Sequence, residues 1–544
     1  MSGGWCGEER TLLARVGGEQ GAEDRERKVA GGTPGVKYRL MREIDPREVR
    51  IAELEAQVAA RDVRIAELEA QVAAKDARIS ELTARVEALT RRIAELEARL
   101  GQNSTNSSKP PSSDPPGTKR KLRRRNKRRR RPGGQPGHKH HKRELLPEEQ
   151  VDRVVDLPLP KQCERCQHEL KGERQQALRH QVMEVPPLKP VVTEYRCHGL
   201  TCAHCGTLNR AALPPEVDGH VFGPRLTSLM SLLVGKYRLS KRKTRDALSD
   251  LLGVRLSLGA VSNREREMSQ ALAAPMAEAE RFIRDQDRVN MDETSFVEGK
   301  VDGRGRRMWL WLVASALVAV FRIATSRGSE VAKGLLGEDF AGILGSDRYA
   351  AYKWYEKVLR QLCWSHLTRD FQGFIDRGGV GGRTGQKLMD QRNRMFKWWH
   401  QVREETMTRA DFERRMRPVE SEVGRLLRDA AKHAEEKTAG MAKEILELEE
   451  AMWTFVDVEG VEPTNNYAEQ LLRHAVLYRK TSFGTQSPEG SRFVERILTA
   501  VTTLDLQGRN ILEFLTQCIQ AHRRGLPAPS LLPTMTTAQA ASAA

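Results

Sequence analysis

Three acidic residues lie at positions from which their carboxylates could meet in the folded chain. Asp292 stands in RVNMDETSF, Asp347 ends the apolar run AGILGSD, and Glu469 lies in the helical stretch PTNNYAEQLLR. Carboxylates at the ends of neighbouring strands, with a third on a helix beside them, are the hard oxygen ligands that Mg²⁺ or Mn²⁺ prefers. Two such ions can activate a nucleophile and stabilise a leaving oxygen in phosphoryl transfer. We therefore expect a metal-dependent phosphoryl-transfer site.

The segment around the first two acids predicts a mixed α/β core. Adjacent strand residues face opposite sides, so Asp292 rather than Glu293 is expected to join the other acids. Between Asp292 and Asp347 come a glycine-punctuated turn at Gly299–Gly305, strand-like residues over Met308–Phe321, and the helix-like SEVAKGLLGEDF. This order resembles a ribonuclease H-like fold. The alternative is that each acid simply ends a loop, and any one of them alone is weak evidence.

The third acid lies on a predicted helix whose polar side chains have helical spacing. Asn465, Glu469 and Arg473 recur every four residues and share one face. Arg479 and Lys480 follow near the end of the same stretch and could contact phosphates. A polar stripe of this kind can also face solvent without binding anything.

Two CxxC pairs predict a structural Zn²⁺ site. Cys163 and Cys166 form the first pair, and Cys202 and Cys205 form the second. Four thiolates give tetrahedral coordination and can hold together a segment with little core of its own. Free reduced cysteines are the alternative. Rival ligands lie nearby, namely Cys197, His168, His198 and His204.

A densely basic block predicts contact with a DNA backbone. The net charge of the chain is +18, and the block follows a Ser/Pro-rich linker, NSTNSSKPPSSDPPG. Such a block cannot fold alone, but it can displace counterions from phosphates without regard to base sequence. A solubilising tail is the alternative. Its basic residues are Lys119, Arg120, Lys121, Arg123, Arg124, Arg125, Lys127, Arg128, Arg129, Arg130 and Arg131.

A heptad pattern over residues 44–100 predicts a coiled coil. β-Branched residues at a with leucine at d favour a parallel two-stranded form, so we expect a homodimer. A single helix would leave the apolar stripe exposed over its whole length. The a residues are Ile44, Ile51, Val58, Ile65, Val72, Ile79, Val86 and Ile93, and the d leucines are Leu54, Leu68, Leu82, Leu89 and Leu96.

Residues 222–273 have a helical pattern with helix-turn-helix spacing. Ser240 can cap one helix that ends at Gly253, and Ser257 can cap the next. Arg264 on the second helix could reach a major groove. A plain helical hairpin has the same signature, and we weigh the two interpretations equally.

Composition excludes some classes of protein. The first residues contain no apolar segment of the kind that directs secretion, and the longest apolar run is shorter than the roughly 20 residues of a membrane helix. Few cysteines, four of them in CxxC pairs, favour a reducing, cytoplasmic compartment. We assign no fold to the Gly-rich residues before the heptads, and Met41 could be the native start.

Taken together, several motifs resemble the DDE transposases of the insertion sequence sixty-six family. They are NSSKPPSSDPP, GGQPGH, the CxxC pairs, MDET, SDRYAAY, RQLCWSHLTRDF, VEPTNNYAEQLLR, YRKTSFGTQS and SRFVERILT. The resemblance implies that Asp292, Asp347 and Glu469 bind the two catalytic ions, with a helical insertion before the last acid. It also implies support from His366 and Asn465, double-stranded DNA as substrate, accessory proteins of the same element, and a bacterial, nucleoid-associated location.

The expected organisation has an α/β ribonuclease H-like catalytic core with a helical insertion, preceded by a coiled coil, a zinc module and a helix-turn-helix-like region. Rival functions are a non-catalytic, zinc-containing DNA-binding regulator and a nuclease of the same fold without strand transfer. The expected segments are 1–43 disordered, 44–100 coiled coil, 101–145 linker and basic block, 146–215 zinc module, 216–280 helix-turn-helix-like region, 281–505 catalytic domain with insertion at about 378–461, and 506–544 C-terminal helix and tail.

Overall fold

The structure, a computed structural model, describes residues 46–100, 144–173, 175–301 and 304–533. The basic block at 119–131, the Ser/Pro-rich linker before it and Met41 lie outside the described residues, as does the segment expected to be disordered. The chain divides into two compact units, residues 1–100 and residues 101–544.

The first unit contains one long helix. Helix α1 spans Pro46–Leu100 and has 55 residues, with proline in its first turn, where no intrahelical N–H is required. Four Arg–Glu pairs three residues apart repeat along its surface. The apolar a and d side chains from Ile51 to Leu96 are exposed. The helix expected from the heptads is confirmed, and its pairing with a second copy stays a prediction.

The second unit begins with a thinly packed segment over residues 144–215. Its regular structure is a small antiparallel hairpin, β1 (Gly199–Thr201) with β2 (Leu208–Arg210). Apolar side chains such as Leu178 and Val191 are almost fully exposed. This segment therefore contributes little to the hydrophobic core.

Four helices follow, and two of them begin at the capping residues predicted from the sequence. They are α2 (Pro224–Gly235), α3 (Lys241–Leu252), α4 (Leu258–Ala271) and α5 (Ala273–Arg284). The Ser240 hydroxyl caps α3 by accepting from the N–H of Lys243, and the Ser257 hydroxyl caps α4 in the same way. Gly253 ends α3 in a left-handed conformation. The predicted caps and the helical hairpin are confirmed.

A five-stranded mixed sheet forms the centre of the unit. Its strands are β3 (Arg288–Val301), β4 (Arg304–Ala314), β5 (Ala319–Ala324), β6 (Ile343–Ser346) and β7 (Arg360–Leu362), with α6 (Ser329–Leu336) between β5 and β6. The spatial order is β5-β4-β3-β6-β7. Strand β4 is antiparallel to both of its neighbours, whereas β3, β6 and β7 are mutually parallel. The apolar run Met308–Phe321 forms buried strands, as predicted.

The helices after the sheet divide into two groups. Helices α7 (Trp364–Arg377), α8 (Gly379–Arg403), α9 (Arg409–Ala431), α10 (Glu436–Leu446) and α11 (Thr454–Asp457) surround their own core of Trp364, Trp399, Phe412 and Phe455. Helices α12 (Asn466–Ser482), α13 (Pro488–Leu506) and α14 (Ile511–Arg524) share the core of the sheet with α2, α4 and α5. The helical insertion predicted at about 378–461 covers α8 to α11 of the first group, and its status as an insertion stays a prediction.

Side chains of α13 cover the outer edge of strand β5. The N–H groups of Ala319 and Phe321 donate to the hydroxyls of Thr503 and Thr499 at 3.1 and 3.0 Å. Unpaired N–H groups on an edge strand would otherwise invite another strand to pair. Helix α13 therefore ends the sheet on this side. Among the described residues, no helix is long and apolar enough to cross a membrane.

Candidate active site

The first two acids lie on adjacent parallel strands: Asp292 lies within β3, and Asp347 follows the last residue of β6. Strands β3 and β6 pair in parallel, and the last aligned pair is Asn290 with Gly345. Asp292 and Asp347 each lie two residues beyond that pair, so they stand at the same level of the sheet. The Oδ1 atom of Asp347 accepts a hydrogen bond from the N–H of Tyr349 at 2.8 Å. The strand pairing therefore brings together two acids that are 55 positions apart in the sequence.

Asn465 links the start of α12, the helix that carries the third acid, to strand β3 beside Asp292. Its side-chain amide donates to the carbonyl oxygen of Met291 at 2.7 Å and accepts from the amide of Asn290 at 2.8 Å. Asn465 is fully buried, rather than part of a solvent-facing stripe. Glu469 follows one helical turn later, which places its carboxylate beside the two strand acids. A side chain at Gly345 would collide with the Asn290 amide at 2.4 Å, so glycine there gives this bridge room.

Two of the three acids have raised pKa values, and the charge of Asp347 contributes to both shifts. Burial raises the pKa of Asp292 well above its usual range, and the charges of Glu293, Asp347 and Glu469 raise it further. Burial also raises the pKa of Glu469; the Arg369 guanidinium opposes the shift and Asp347 adds to it. These three acids are partly buried, and among the described residues their oxygen atoms do not all lie within 4.8 Å of one another. Divalent cations would reduce the repulsion between them, because added positive charge favours the ionised form.

The side chain of Glu293 points to the opposite face of β3 from Asp292, and it has different neighbours. Its side chain is 1% exposed and forms an ion pair of 2.7 Å with Arg327. The hydroxyl of Tyr352 donates to its second oxygen at 2.5 Å. Arg327 in turn stacks on the ring of Tyr349. Because both tyrosines follow Asp347, Glu293 ties β3 to the loop that carries the second acid.

Cys363 and His366 border the third acid. Their ligand atoms and a Glu469 oxygen all lie within 4.8 Å of one another, the one such group of three found among the described residues. The His366 Nδ1 atom is 3.6 Å from Glu469 Oε1. Burial, Arg369 and Arg348 lower the pKa of His366 to about 4, so its imidazole is neutral at neutral pH. His366 thus has the contact with the site that its predicted supporting role requires, and Cys363 joins it.

Two arginines that the sequence analysis missed hold the segment after β6. Arg348 pairs with Asp370 on α7 at 2.9 Å and with Glu444 on α10 at 3.0 Å. Arg360 is fully buried, and its Nη2 atom donates to the carbonyl oxygen of Asp347 at 3.0 Å. Arg348 lies in the motif SDRYAAY and Arg360 in RQLCWSHLTRDF. Their place in these motifs was the one feature of the sequence that could have indicated a role. Their partners are distant in sequence and could not be deduced.

The expected DNA contacts fall into two groups. Arg473 and Lys480 are exposed on α12. Arg479 instead links α12 to β3, because its Nη1 atom donates hydrogen bonds to the side-chain hydroxyls of Thr294 and Ser295. Arg264 faces inward and pairs with Glu267 at 2.5 Å, with its side chain 16% exposed. We correct its assignment accordingly: the Arg264 guanidinium is held in the helical core rather than presented to a groove.

Each CxxC pair forms the same tight turn. In the first, the N–H of Gln167 donates to Cys163 O and the N–H of Cys163 donates to His168 O, both at 2.9 Å; Cys202 makes the equivalent bonds in the second. Hydrogen bonds from Cys166 and Arg165 lower the pKa of Cys163, which favours its thiolate. The described structure does not gather three of these cysteines within 4.8 Å of one another, so the zinc site stays a prediction.

Comparisons with known proteins match two segments of the chain. Residues 219–492 match the model of a family described as the transposase IS66 family. Residues 42–144 match a family of unknown function, DUF6444. The uncharacterized protein y4qI of Sinorhizobium fredii (strain NBRC 101917 / NGR234) is 25% identical over 283 residues, which cover 46% of this chain and 50% of that protein. The chain thus spans about half the length of this curated relative.

Proposed function

The chain belongs to the transposase IS66 family, and from that premise we propose that it cleaves DNA at the ends of an insertion sequence and joins the freed ends to target DNA. The observation that carries the proposal is the shared level of Asp292 and Asp347 on β3 and β6, with Glu469 held beside them by Asn465. The family makes the chain a DNA-processing enzyme, and the arrangement of acids supports this particular chemistry.

The proposal includes a ribonuclease H-like class for the sheet. Five strands in the order β5-β4-β3-β6-β7, with β4 antiparallel to its neighbours, support it. The acids would then lie on the central strand and its parallel neighbour. Ligands of open α/β sheets bind outside the carboxyl ends of such strands; Asp347 follows the carboxyl end of β6, and Asp292 lies on β3 just beyond the part that pairs with β6.

In the proposed reaction, water attacks a phosphorus atom at the element end, and the bond to the 3′ oxygen breaks. The products are a 5′ phosphate and a 3′ hydroxyl. That hydroxyl then attacks a phosphodiester of the target, so that a new phosphodiester forms while the bond from the target phosphorus to its own 3′ oxygen breaks and leaves a target 3′ hydroxyl. Asp292, Asp347 and Glu469 would hold two Mg²⁺ or Mn²⁺ ions, which polarise the phosphate and lower the pKa of the attacking oxygen. No covalent enzyme intermediate is required.

The surrounding residues hold these carboxylates in place. Asn465 sets the start of α12 and hence the distance of Glu469 from β3. Arg348 and Arg360 fix the chain immediately after β6, which limits the movement of Asp347. Neutral His366 beside Glu469 adds no charge that would compete with a bound cation. These residues would be positioning groups: Arg360 and His366 contact Asp347 and Glu469, whereas Asn465 and Arg348 hold the segments that carry them.

Further parts of the proposal concern partners. A second copy of the chain would cover the apolar stripe of α1, and double-stranded DNA would be contacted by the block at residues 119–131 and by Arg473 and Lys480. A Zn²⁺ ion would join the two cysteine turns. We further propose a bacterial cytoplasmic location at the nucleoid, and accessory proteins of the same element as partners.

The test uses the purified full chain with labelled element ends, a target plasmid and Mg²⁺. Asp292→Asn, Asp347→Asn and Glu469→Gln should each abolish cleavage and joining while end binding stays within a few-fold of wild type. Asp339→Asn, which changes an exposed acid outside the site, is the matched control and should retain both reactions. Cutting without joining would identify a nuclease, and DNA binding that never leads to cutting would identify a regulator.

A further inference from the structure

Phe483 ends α12 in a conformation that bulky residues seldom adopt. Its φ and ψ are 59° and 22°, in the left-handed region, and its side chain is 82% exposed. Among the described residues that are not glycine, it is the one aromatic with a positive φ. Strained backbone persists where surrounding structure enforces it, and such positions concentrate at functional sites.

The backbone around Phe483 is firmly held. Its N–H donates to Arg479 O at 2.8 Å, and two residues later the N–H of Thr485 donates to Val297 O on β3 at 3.0 Å. Between them, Gly484 has a φ of 100°, and a Cβ atom there would lie 2.1 Å from Val297 O. The turn is therefore docked on the sheet, and the outward direction of the ring is part of the fold rather than a result of a loose loop.

Two cations on α12 share a helix face with Glu469, and the exposed ring follows the end of the same helix. Arg473 and Lys480 lie 4 and 11 residues after Glu469, which places them at about +40° and +20° around the axis from it. Phe483 follows Ser482, the last residue of α12, and all three side chains are exposed. Beyond the acid, α12 thus presents two cations and then an aromatic ring at its end.

The length of this face fits a short stretch of duplex. Fourteen residues of helix span about 21 Å, and at 3.4 Å per base pair this corresponds to about six base pairs. Arginine and lysine along the way can neutralise phosphates, whereas an aromatic ring stacks on a base of any sequence or wedges between base steps. Cations followed by an exposed aromatic ring suit DNA, which presents phosphates and stackable bases along one surface.

We propose that Phe483 stacks against a base of the bound element end about six base pairs from the scissile phosphate and unstacks the duplex there. The inference rests on the proposed function for the identity of the substrate. Phe483 would act in binding and distortion of the DNA, and it would leave the chemistry to the three acids.

The test places 2-aminopurine, whose fluorescence rises on unstacking, at successive positions of an element-end duplex bound to the full chain without divalent cations. Wild type should produce a maximum five to seven positions from the mapped cleavage site. Phe483→Ala and Phe483→Asn should remove it and weaken binding about fivefold or more. Asparagine tolerates the left-handed conformation, so that variant is expected to fold. Phe483→Trp should restore the signal.

Leu526→Ala changes another exposed apolar residue and should leave the fluorescence maximum and the affinity unchanged. A duplex that stays stacked in the wild-type complex, or a maximum that survives Phe483→Asn, would overturn the inference. Cleavage that depends on the three acids would then still stand, so the proposed function would be unaffected. Conversely, a Phe483-dependent maximum without any cleavage would retain the stacking role and reject the transposase reaction.

Discussion

Replacing Asn465 with alanine should separate DNA binding from DNA cleavage. The change removes two side-chain hydrogen bonds, one to Met291 O and one from the Asn290 amide. Met291 is fully buried, whereas Asn290 is partly exposed and can bond water. One unsatisfied buried carbonyl costs about 1–3 kcal/mol, so the free energy of unfolding should fall by about 2–3 kcal/mol.

The effect on turnover should exceed the effect on stability. Glu469 lies one turn after Asn465, and a displacement of about 1 Å at a catalytic group can lower a rate about 100-fold. The assay measures single-turnover cleavage of end DNA, the dissociation constant of the same duplex, and thermal unfolding. We expect a cleavage rate about 100-fold lower, with the dissociation constant within a few-fold of wild type.

Asn393→Ala provides the control for this substitution, because Asn393 is exposed on α8 and accepts a bond from its neighbour Arg392. It should leave cleavage unchanged. If Asn465→Ala cleaved at the wild-type rate while remaining folded, the reasoning that Asn465 positions Glu469 would be refuted. Equal losses in binding and cleavage would point instead to a general loss of structure.

Three further predictions concern charge, pairing and zinc. The pKa of Asp292 is raised in the folded, metal-free protein, so at this residue the folded state binds more protons than the unfolded chain. The free energy of unfolding should therefore fall as pH rises above the usual aspartate range. Asp292→Asn should unfold at a higher temperature than wild type at pH 7.5 in EDTA, with a smaller difference at pH 4.5. Leu68→Lys should convert the coiled-coil dimer to monomer in light scattering at micromolar concentration, whereas Glu67→Gln, on the polar side of α1, should not, and a monomeric wild type would contradict the pairing. Purified chain should carry one zinc ion by elemental mass spectrometry, and Cys163→Ser or Cys202→Ser should release it; an unchanged zinc content in both variants would reject this site.

Local patterns were sufficient to predict the elements of the site. Alternation around Asp292 and the apolar run Met308–Phe321 indicated strands, because burial on both faces leaves a near-continuous apolar signature. Ser240 and Ser257 predicted helix starts because a cap acts within its own turn. These features depend on neighbours in sequence, and the structure contains them where they were expected.

Contacts between distant segments could not be predicted in this way. Arg264 and Arg479 have the composition of phosphate contacts, yet the structure gives them Glu267 and the β3 residues Thr294 and Ser295 as partners. The residue type alone does not distinguish an arginine that binds DNA from one that holds a helix in place. The exposed ring of Phe483 was missed for a related reason, since only a three-dimensional turn distinguishes it from a core phenylalanine.

The proposed reaction requires that Asp292, Asp347 and Glu469 share divalent cations. Anomalous diffraction from crystals of the full chain with element-end DNA and Mn²⁺ tests it most directly. We predict two manganese peaks, each within about 2.6 Å of oxygen atoms from these carboxylates. Manganese bound elsewhere, with the three carboxylates free of metal in a complex that cleaves its DNA, would contradict the account.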